Sequence, residues 1–425
     1  MEEFAVLKRF LIIQAVVLLL SGSATIVKGQ TYELRGSLRG WLQAFTHSPN
    51  SIDISQSRLK LDLLSTLRRN SAFFMQSYFT HDARSGVSEW DLKQAYIDCY
   101  TGWMQLRFGR QIMAWGKADE LNPTDILNPQ NLSNILEDKM VRKIGLFAVK
   151  VNWLFYGFQL ETVWKPEFKP MQLPEPDSRW GFFSLPGVTT LPPPVLPGDD
   201  LDKTEWALKL SRTVSMFDLA ISWFDGWDNI FTPVFVPDTA AGGLRLDRLI
   251  FHRTRMLGAE FAGSVGSVGI WGEGAYFLTE DHRGNDPEVK NPYVQFVIGA
   301  DYTFSGSVKL NVQYLKEILT KIDDAAERNA EEKMISKLGV GMPLRQALTA
   351  RVEKRFGSGE AQAVEVFIIY DLDEKGYLLG PRLILSPEDA VKFEICAAVF
   401  GGDCGSLFGN FTKNDALYVK CTYSF

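Results

Sequence analysis

The residues of this 425-residue sequence that could most clearly have a chemical role are charged side chains. They are grouped in one segment, 107–125, and again in a later one, 351–355. Acidic and basic residues stand close together there, among glycines and Asn-Pro pairs. Side chains of both signs around a narrow aqueous opening would select ions by charge and size. We therefore predict that these residues line a pore or its constriction: Arg107, Arg110, Lys117, Asp119, Glu120, Asp125, Arg351 and Arg355.

Enzymatic chemistry has weaker support in the sequence. A hydrolase would need a nucleophile or an acid held beside a histidine, and no histidine has a neighbouring motif that would fix such a partner. We therefore expect no catalytic residue, although an outer-membrane lipase or protease stays open as a less favoured class. The histidines are His47, His81, His252 and His282.

Metal binding and a disulfide framework are also poorly supported, so we expect no metal and no cofactor. The cysteines lack the close Cys/His spacing of a zinc site, and four of them do not make a framework in a chain of this size. Cys396 and Cys404 are near enough in sequence to form a disulfide, and two free thiols fit equally well. Cys99 and Cys421 stand at apolar positions of alternating segments.

The scaffold that positions the charges is a series of β-strands with one polar and one apolar face. In the first of them Leu34 and Leu38 alternate with Arg35 and Arg39, which is the two-residue period of a strand. Charged residues recur on the polar face of nearly every later strand. A dry β-sandwich core would exclude them unless each were paired, whereas a water-filled lumen accommodates them.

Tight turns and long excursions separate these strands alternately, as in a transmembrane barrel. Short links are predicted near 155–157, 213–215, 263–266 and 304–307, and long loops near 114–140, 166–203, 226–249, 281–290 and 319–331. We predict an all-β fold, a transmembrane antiparallel β-barrel of about 18 strands, with 16 as the alternative. The proline-rich loop 166–203 cannot be sheet, and it is interpreted as a plug, a surface loop or a docking surface.

Both ends of the chain indicate export to a membrane. Residues 1–29 contain a basic start, an apolar run and small residues, which is typical of a signal peptide. The barrel would then occupy residues 30–425. The last strand alternates up to Tyr423 and Phe425, and it resembles the signal by which the barrel-assembly machinery recognises outer-membrane proteins. We expect the outer membrane of a Gram-negative-type bacterium, with outer-membrane lipid as a partner.

The stretch 109–132 carries the most specific resemblance. Its glycine, Arg-Gln, Trp-Gly and paired Asn-Pro elements, with the closing segment 408–425, are similar to poorly characterised porin-like outer-membrane proteins. The resemblance implies a barrel and, less firmly, transport. The third outer loop of porins often folds inward, so loop 114–140 is expected to narrow the pore. The alternative is that this motif only buttresses the wall and the rim.

Three functions therefore compete: a channel for passive or selective diffusion of small polar solutes, a structural or export barrel that houses a periplasmic partner, and an outer-membrane enzyme. A homo-oligomer is compatible with the first. The net charge of −6 argues against a nucleic-acid partner. A basic surplus among the expected lumen residues predicts weak anion preference, from Arg35, Arg39, Arg58, Lys60, Lys150, Lys309, Arg351 and Arg355 against Asp62, Glu161, Glu260, Glu273 and Glu353.

Overall fold

A computed structural model of the chain describes residues 32–47, 52–174, 178–181, 192–198, 203–237, 244–286, 288–321 and 344–425. Its central feature is a closed antiparallel sheet of 18 strands, with neighbouring strands in the ring paired to one another throughout. The prediction of an 18-stranded barrel is confirmed. The expected signal peptide, the turn at 48–50 and parts of the proline-rich loop lie outside the described residues.

Twenty strands are present in the described part of the chain, and all but β10 and β11 belong to the barrel. In chain order they are β1 (Tyr32–Phe45), β2 (Ile52–Arg68), β3 (Ser71–Asp82), β4 (Ser88–Tyr100), β5 (Met104–Gln111), β6 (Leu146–Phe155), β7 (Phe158–Lys165), β8 (Glu205–Val214), β9 (Phe217–Trp227), β10 (Thr232–Pro237), β11 (Leu244–Ile250), β12 (Arg253–Val265), β13 (Val268–Leu278), β14 (Tyr293–Phe304), β15 (Val308–Leu319), β16 (Gln346–Phe356), β17 (Gln362–Asp371), β18 (Tyr377–Glu388), β19 (Val391–Gly401) and β20 (Ala416–Ser424).

The barrel closes where β1 pairs with β20 in an unbroken antiparallel register from Ser37–Ser424 to Phe45–Ala416. Gly36 and Phe425 exchange two backbone hydrogen bonds of 2.9 Å at the end of this seam. A Cβ on Gly36 would meet the Phe425 ring and the Lys60 carbonyl oxygen, so the close approach at the seam favours glycine there. Closure leaves no unpaired strand edge in the ring.

The two ends of the barrel differ in their connections. At the tight-turn end the strands are joined by two to five residues, as at Tyr156-Gly157, where both residues have positive φ as a type I′ turn demands. The start of β1 at Tyr32 and the last residue, Phe425, lie at this end. At the long-loop end the connections are as long as 34 residues between β5 and β6 (112–145) and 39 residues between β7 and β8 (166–204). The predicted alternation of tight turns and long loops is confirmed.

One long loop contains more structure than expected. The segment between β9 and β12 was predicted as an irregular loop, but β10 and β11 form a separate two-stranded sheet there. Val195 of the proline-rich loop adds a parallel bridge to Ile250. Pro233 and Pro237 lack a backbone N–H and so limit further pairing. Helix is limited in the described residues to α1 (Lys139–Arg142) and two 3-10 turns, and no described helix has the length and apolarity to cross a membrane.

Candidate functional site

The loop between β5 and β6, residues 112–145, folds into the barrel and is called the inner loop from here on. Wall side chains accept hydrogen bonds from its backbone: Glu260 from Gly116 at 3.1 Å and Glu273 from Lys117 at 2.9 Å. Gln313 accepts from Asp119 at 3.0 Å and donates to its carbonyl at 3.1 Å. These wall residues lie in the middle of β12, β13 and β15, so the inner loop crosses the lumen at mid-height.

The shape of the inner loop comes from side chains of its own motif. Asn128 of the second Asn-Pro pair accepts from the Met113 N–H at 2.7 Å and donates to the Ile144 carbonyl at 2.8 Å. It thereby connects the outgoing limb of the inner loop, which leaves β5, with the returning limb, which leads into β6. Asp125 forms an ion pair with Lys143 at 2.6 Å. These contacts satisfy polar groups that an irregular buried segment would otherwise leave unpaired.

The Trp-Gly pair of the motif fixes the limb that touches the wall. Trp115 is buried, and its indole N–H donates to Glu161 at 2.6 Å. Gly116 has a φ of +88°, and an added Cβ would collide with the Glu273 carboxylate. Left-handed backbone and close approach both favour glycine at this position. Thr124 adds a hydroxyl donor to Glu273 at 3.1 Å.

Apolar packing holds the inner loop against one side of the lumen. Leu127 of the loop is fully buried, and Met113 and Trp115 are nearly so. They pack in one cluster with lumen-facing residues of seven strands: Ala148, Val163, Ala207, Phe224, Met256, Ala275, Phe277 and Tyr293. The inner loop and this side of the wall therefore form a small hydrophobic core, and the inner loop is packed against the wall as a second layer.

Charge pairs hold the returning limb against the opposite side. Glu137 is 8% exposed, and its carboxylate accepts from Arg39 at 2.6 Å and from Arg58 at 2.7 Å. Burial alone would raise the pKa of Glu137, but Arg39, Arg58 and Lys420 outweigh it and lower the pKa to about 2. The inner loop is thus anchored to β1 and β2 by an ionised carboxylate.

Charged side chains of both signs meet in the lumen where the inner loop faces β16. Arg351 forms an ion pair with Asp119 at 3.1 Å, and Glu120 lies 3.9 Å from Arg351 and 3.8 Å from Arg142. Arg351 is 31% exposed and Glu120 is 44% exposed, so both reach water. Alternating charges at the face of an opening are able to discriminate between permeating ions.

Two cavities lie on either side of the inner loop. The tight-turn cavity has a volume of about 650 Å³ and is lined among others by Glu161, Lys209 and Asp218. The long-loop cavity has a volume of about 290 Å³ and is lined among others by Glu120 and Arg142. Ala114, Trp115 and Lys117 line the first cavity, and residues between 120 and 132 line the second. The inner loop therefore separates a wide compartment from a smaller one.

Most predicted site residues occupy the lumen, although they are not gathered at one point. Arg107 faces the lumen near the tight-turn end, where it pairs with Asp98 at 2.8 Å and stacks on Tyr96 at 3.8 Å. Arg355 is nearer that end and pairs with Glu353 at 2.7 Å. Lys117 reaches Asp218 at 3.3 Å. Asp119, Glu120 and Arg351 come together as described.

Two predicted residues do not line the opening. Asp125 borders the long-loop cavity, but its side chain is 5% exposed and pairs with Lys143 and Lys139 within the inner loop, away from Arg351. Arg110 pairs in register with Ala95 and Phe147, which places it on the outward face of β5. The prediction that Arg110 lines the lumen beside Arg107 is wrong, because three positions separate them and alternation puts odd separations on opposite faces.

Sequence reasoning assigned no role in the site to Glu137 and Arg142 and gave Glu260 and Glu273 only a general place in the lumen. The two wall glutamates are direct partners across β12 and β13. The alternation pattern predicts that both face the lumen, but it does not predict that they are paired. Glu137 lies 98 residues from Arg39, and no local signal links them. All four cysteines are free, with Cys396 buried and Cys404 exposed, which answers the question of a disulfide between them.

Comparisons with known proteins bear on the fold. No protein-family model and no curated protein matches the chain. Among solved structures, OccD3 (OpdP) of Pseudomonas aeruginosa aligns with a TM-score of 0.52 and 10% identity, over 95% of this chain and 93% of that one.

Two further structures align less closely. Salmonella typhi OmpF, in a complex with daunomycin, gives a TM-score of 0.43 at 10% identity, over 93% of this chain and 98% of that one. A mutant of the Rh. blastica porin gives 0.42 at 13% identity, over 93% and 100%. Of these three only OccD3 exceeds a TM-score of 0.5, and at its level of identity the likeness shows a shared large antiparallel barrel fold.

Proposed function

We propose that this protein is an outer-membrane channel for the diffusion of small polar solutes, with the inner loop as its constriction. The observation that carries the proposal is the position of this loop. It crosses a closed 18-stranded barrel at mid-height and leaves partly exposed charges of both signs at Arg351, Asp119 and Glu120. Barrels of 16 to 18 strands typically enclose an aqueous channel. The fold shared with OccD3 supports the same assignment.

The proposed orientation puts the tight-turn end at the periplasm and the long-loop end outside the cell. The closing strand then ends on the periplasmic side, which suits assembly through Tyr423 and Phe425. Tyr423 and Phe425 stack at 6.2 Å on the outward face of that strand. This location, in the outer membrane of a Gram-negative-type bacterium, is part of the proposal.

Weak anion preference is proposed from the charges that stay accessible. Arg351 is hydrogen-bonded less completely than Glu137 or Lys143, and Arg382 on the neighbouring wall is 28% exposed. Glu365, between them, is 7% exposed and is shared by both arginines. Arg351 and Arg382 therefore present positive charge from this wall, and the preference is expected to be weak because the exposed carboxylates of Asp119 and Glu120 face Arg351.

Reversal potentials in planar lipid bilayers under a KCl gradient test the constriction. Arg351→Gln is expected to shift the potential toward cation preference, and Asp119→Asn toward anion preference. Arg355→Gln is the matched comparison, because it removes the same charge from the same face of β16 nearer the wide end, where the effect should be smaller. Unaltered potentials in folded Arg351→Gln and Asp119→Asn variants would reject the constriction.

Removing residues 117–131 provides a second test of the same proposal. The deletion takes out the limb that carries Lys117, Asp119 and Glu120, so single-channel conductance should rise. A folded deletion variant with unchanged conductance and selectivity would mean that the inner loop only buttresses the wall.

A further inference from the structure

The proline-rich loop between β7 and β8 is attached to the barrel at two places far apart around its long-loop end. The first attachment is at Met171, whose N–H donates to the Asn229 carbonyl, just after β9, at 2.9 Å. The Gln172 N–H donates to the Gln130 carbonyl at 3.0 Å, and the Gln172 carbonyl accepts from the Leu132 N–H at 2.8 Å. This part of the loop is therefore bound both to the segment that follows β9 and to the inner loop.

The second attachment is the side chain of Trp180. Trp180 is 5% exposed, and its ring centre lies 5.6 Å from those of Phe400 and Phe411 and 6.1 Å from that of Phe45. Phe45 ends β1 and Phe400 lies near the end of β19, and all three phenylalanines belong to the buried cluster on the lumen side of the wall. Trp180 is therefore inserted inside the rim, beside the seam where the barrel closes.

Polar contacts fix the backbone next to this tryptophan. The Arg179 guanidinium lies 4.1 Å from the centre of the Phe45 ring and donates to the Lys413 carbonyl at 3.0 Å. The Arg179 carbonyl accepts from the side-chain amide of Asn414 at 2.7 Å, and Asn414 is buried. Directional contacts on both sides of the peptide make this a specific attachment as well as an apolar one.

The two attachments require the chain to cross the opening. In the ring of 18 strands, β1 and β19 are each eight strands from β9, β1 by way of β8 and β19 by way of β12. A path along the rim would cover eight strand spacings, which is about 38 Å at about 4.8 Å each. Trp180 is nine residues beyond Met171, and nine residues span at most about 32 Å when fully extended. The chain therefore passes over the mouth of the lumen.

Residues 171–174 and 178–181 of this crossing are called the strap from here on. Further along the same loop, Val195 forms a parallel bridge to Ile250 shortly before β12, so the loop returns to the side from which the strap starts. Pro170 and Pro174 restrict φ at the start of the strap. A segment restricted in this way has less conformational freedom to lose when it is held in place.

We propose that the strap sets the upper size limit for solutes that enter the channel, with Trp180 as the residue that positions it. The strap divides the long-loop mouth, so a solute must pass beside it before reaching the inner loop. The proposal rests on the channel function and adds a selection by size to the selection by charge at the inner loop. Without Trp180, the described part of this loop would remain attached mainly on the side of β9 and β12.

Limited trypsin digestion of the full chain in detergent tests the attachment without requiring conduction. Cleavage after Arg179 is followed by fragment mass, and each rate is divided by that of the unfolded chain. Trp180→Ala should accelerate cleavage at least about tenfold, because cleavage follows the population of the open form and truncating a buried tryptophan strongly favours that form. Trp180→Phe keeps an aromatic ring and should stay close to the unaltered chain. Equal rates in the unaltered chain and Trp180→Ala overturn the proposal.

Swelling of liposomes that contain the protein measures the size limit itself. The rate for raffinose, a trisaccharide, is divided by the rate for arabinose, a pentose. Trp180→Ala should raise this ratio, whereas Trp103→Ala, which removes a tryptophan that is 56% exposed at the tight-turn end, should not change it. An unchanged ratio in a conducting Trp180→Ala chain overturns the size limit and retains the channel. No swelling with either sugar in any variant rejects the channel and the size limit with it.

Asn414→Ala keeps the proposal testable if Trp180→Ala does not fold. It removes the hydrogen bond to the Arg179 carbonyl and leaves the aromatic contacts of Trp180 in place. Cleavage after Arg179 and the ratio of raffinose to arabinose should both change in the same direction as for Trp180→Ala, by a smaller amount. No change in either measurement would refute the attachment.

Discussion

Replacing Glu137 with glutamine should loosen the inner loop on the side of β1 and β2. The carboxylate accepts hydrogen bonds from Arg39 and Arg58 at 2.6 to 2.8 Å and is 8% exposed. Glutamine has nearly the same shape, so packing is preserved while the charge is lost. Two guanidinium groups then face the lumen without their shared counter-ion, and the returning limb of the inner loop loses its main attachment to this wall.

The pKa of Glu137 gives the size of the effect. Its pKa is lowered to about 2 in the folded chain, from an ordinary value of about 4.3. That difference corresponds to about 3 kcal/mol of free energy of unfolding, at 1.36 kcal/mol for each pH unit. It agrees with the cost of about 3–5 kcal/mol for removing one partner of a buried ion pair. We expect Glu137→Gln to cost about 2–3 kcal/mol, at or just below the lower end of that range, because Arg39 and Arg58 retain some water.

The dependence on pH has a definite sign. A carboxyl group whose pKa is lower in the folded state contributes stability that is present above its unfolded pKa and is lost as pH falls through its folded pKa. The contribution of Glu137 should therefore be complete above about pH 5 and should vanish near pH 2. The difference in stability between the unaltered chain and Glu137→Gln must shrink over that interval.

Urea unfolding of the chain in lipid vesicles measures this difference at several pH values. Asp138→Asn is the matched control, because Asp138 is adjacent, pairs with the same Arg39 at 3.2 Å, and is 56% exposed. An exposed ion pair contributes about 0–1 kcal/mol, so the control should change little. Equal stability of Glu137→Gln and the unaltered chain at neutral pH, or a gap that persists at pH 2, would refute the assigned role of Glu137.

Two further predictions concern backbone positions. Gly116→Ala should destabilise the folded chain by about 1–2 kcal/mol or more, because alanine is unfavourable at a φ of +88° and its Cβ meets the Glu273 carboxylate; Gly157→Ala, at a φ of +77° with open space around it, measures the backbone part alone. Deleting Phe425 should reduce insertion into the outer membrane more than folding in detergent, and normal membrane levels of the truncated chain would count against a terminal assembly signal.

The sequence was most informative where lipid sets the pattern. Leu417 and Val419 are exposed on the outward face of β20, while Tyr418 and Lys420 are buried on the inward face, as alternation predicted. Lipid accepts apolar side chains at every outward position, so this period is strict. Tight turns were equally visible, because positive φ restricts them to a few residue types. Strand number and the order of short and long connections follow from these two signals.

The inner loop was harder to predict because its partners are distant in sequence. The Asn-Pro pairs and the Trp-Gly corner indicated a structured loop, and Asn128 and Gly116 do shape it. Nothing local indicated that Glu137 would meet Arg39 and Arg58, or that Asp119 would meet Arg351. The error at Arg110 has a simpler cause: it was judged by its charge at the end of a strand rather than by its register.

Apolar residues on the inward face are the largest difference between the polar lumen that the sequence pattern predicted and the lumen that the structure shows. Both faces of β9 and β13 are apolar toward the long-loop end, because adjacent residues on opposite faces are apolar. These are Trp223 and Phe224 in β9, and Tyr276 and Phe277 in β13. A water-filled lumen would not favour this, but a lumen packed with its own loop does. Apolar residues on both faces of a barrel strand therefore locate where the inner loop rests. Under the proposed orientation, a solute entering from outside would meet the long-loop cavity before the tight-turn cavity.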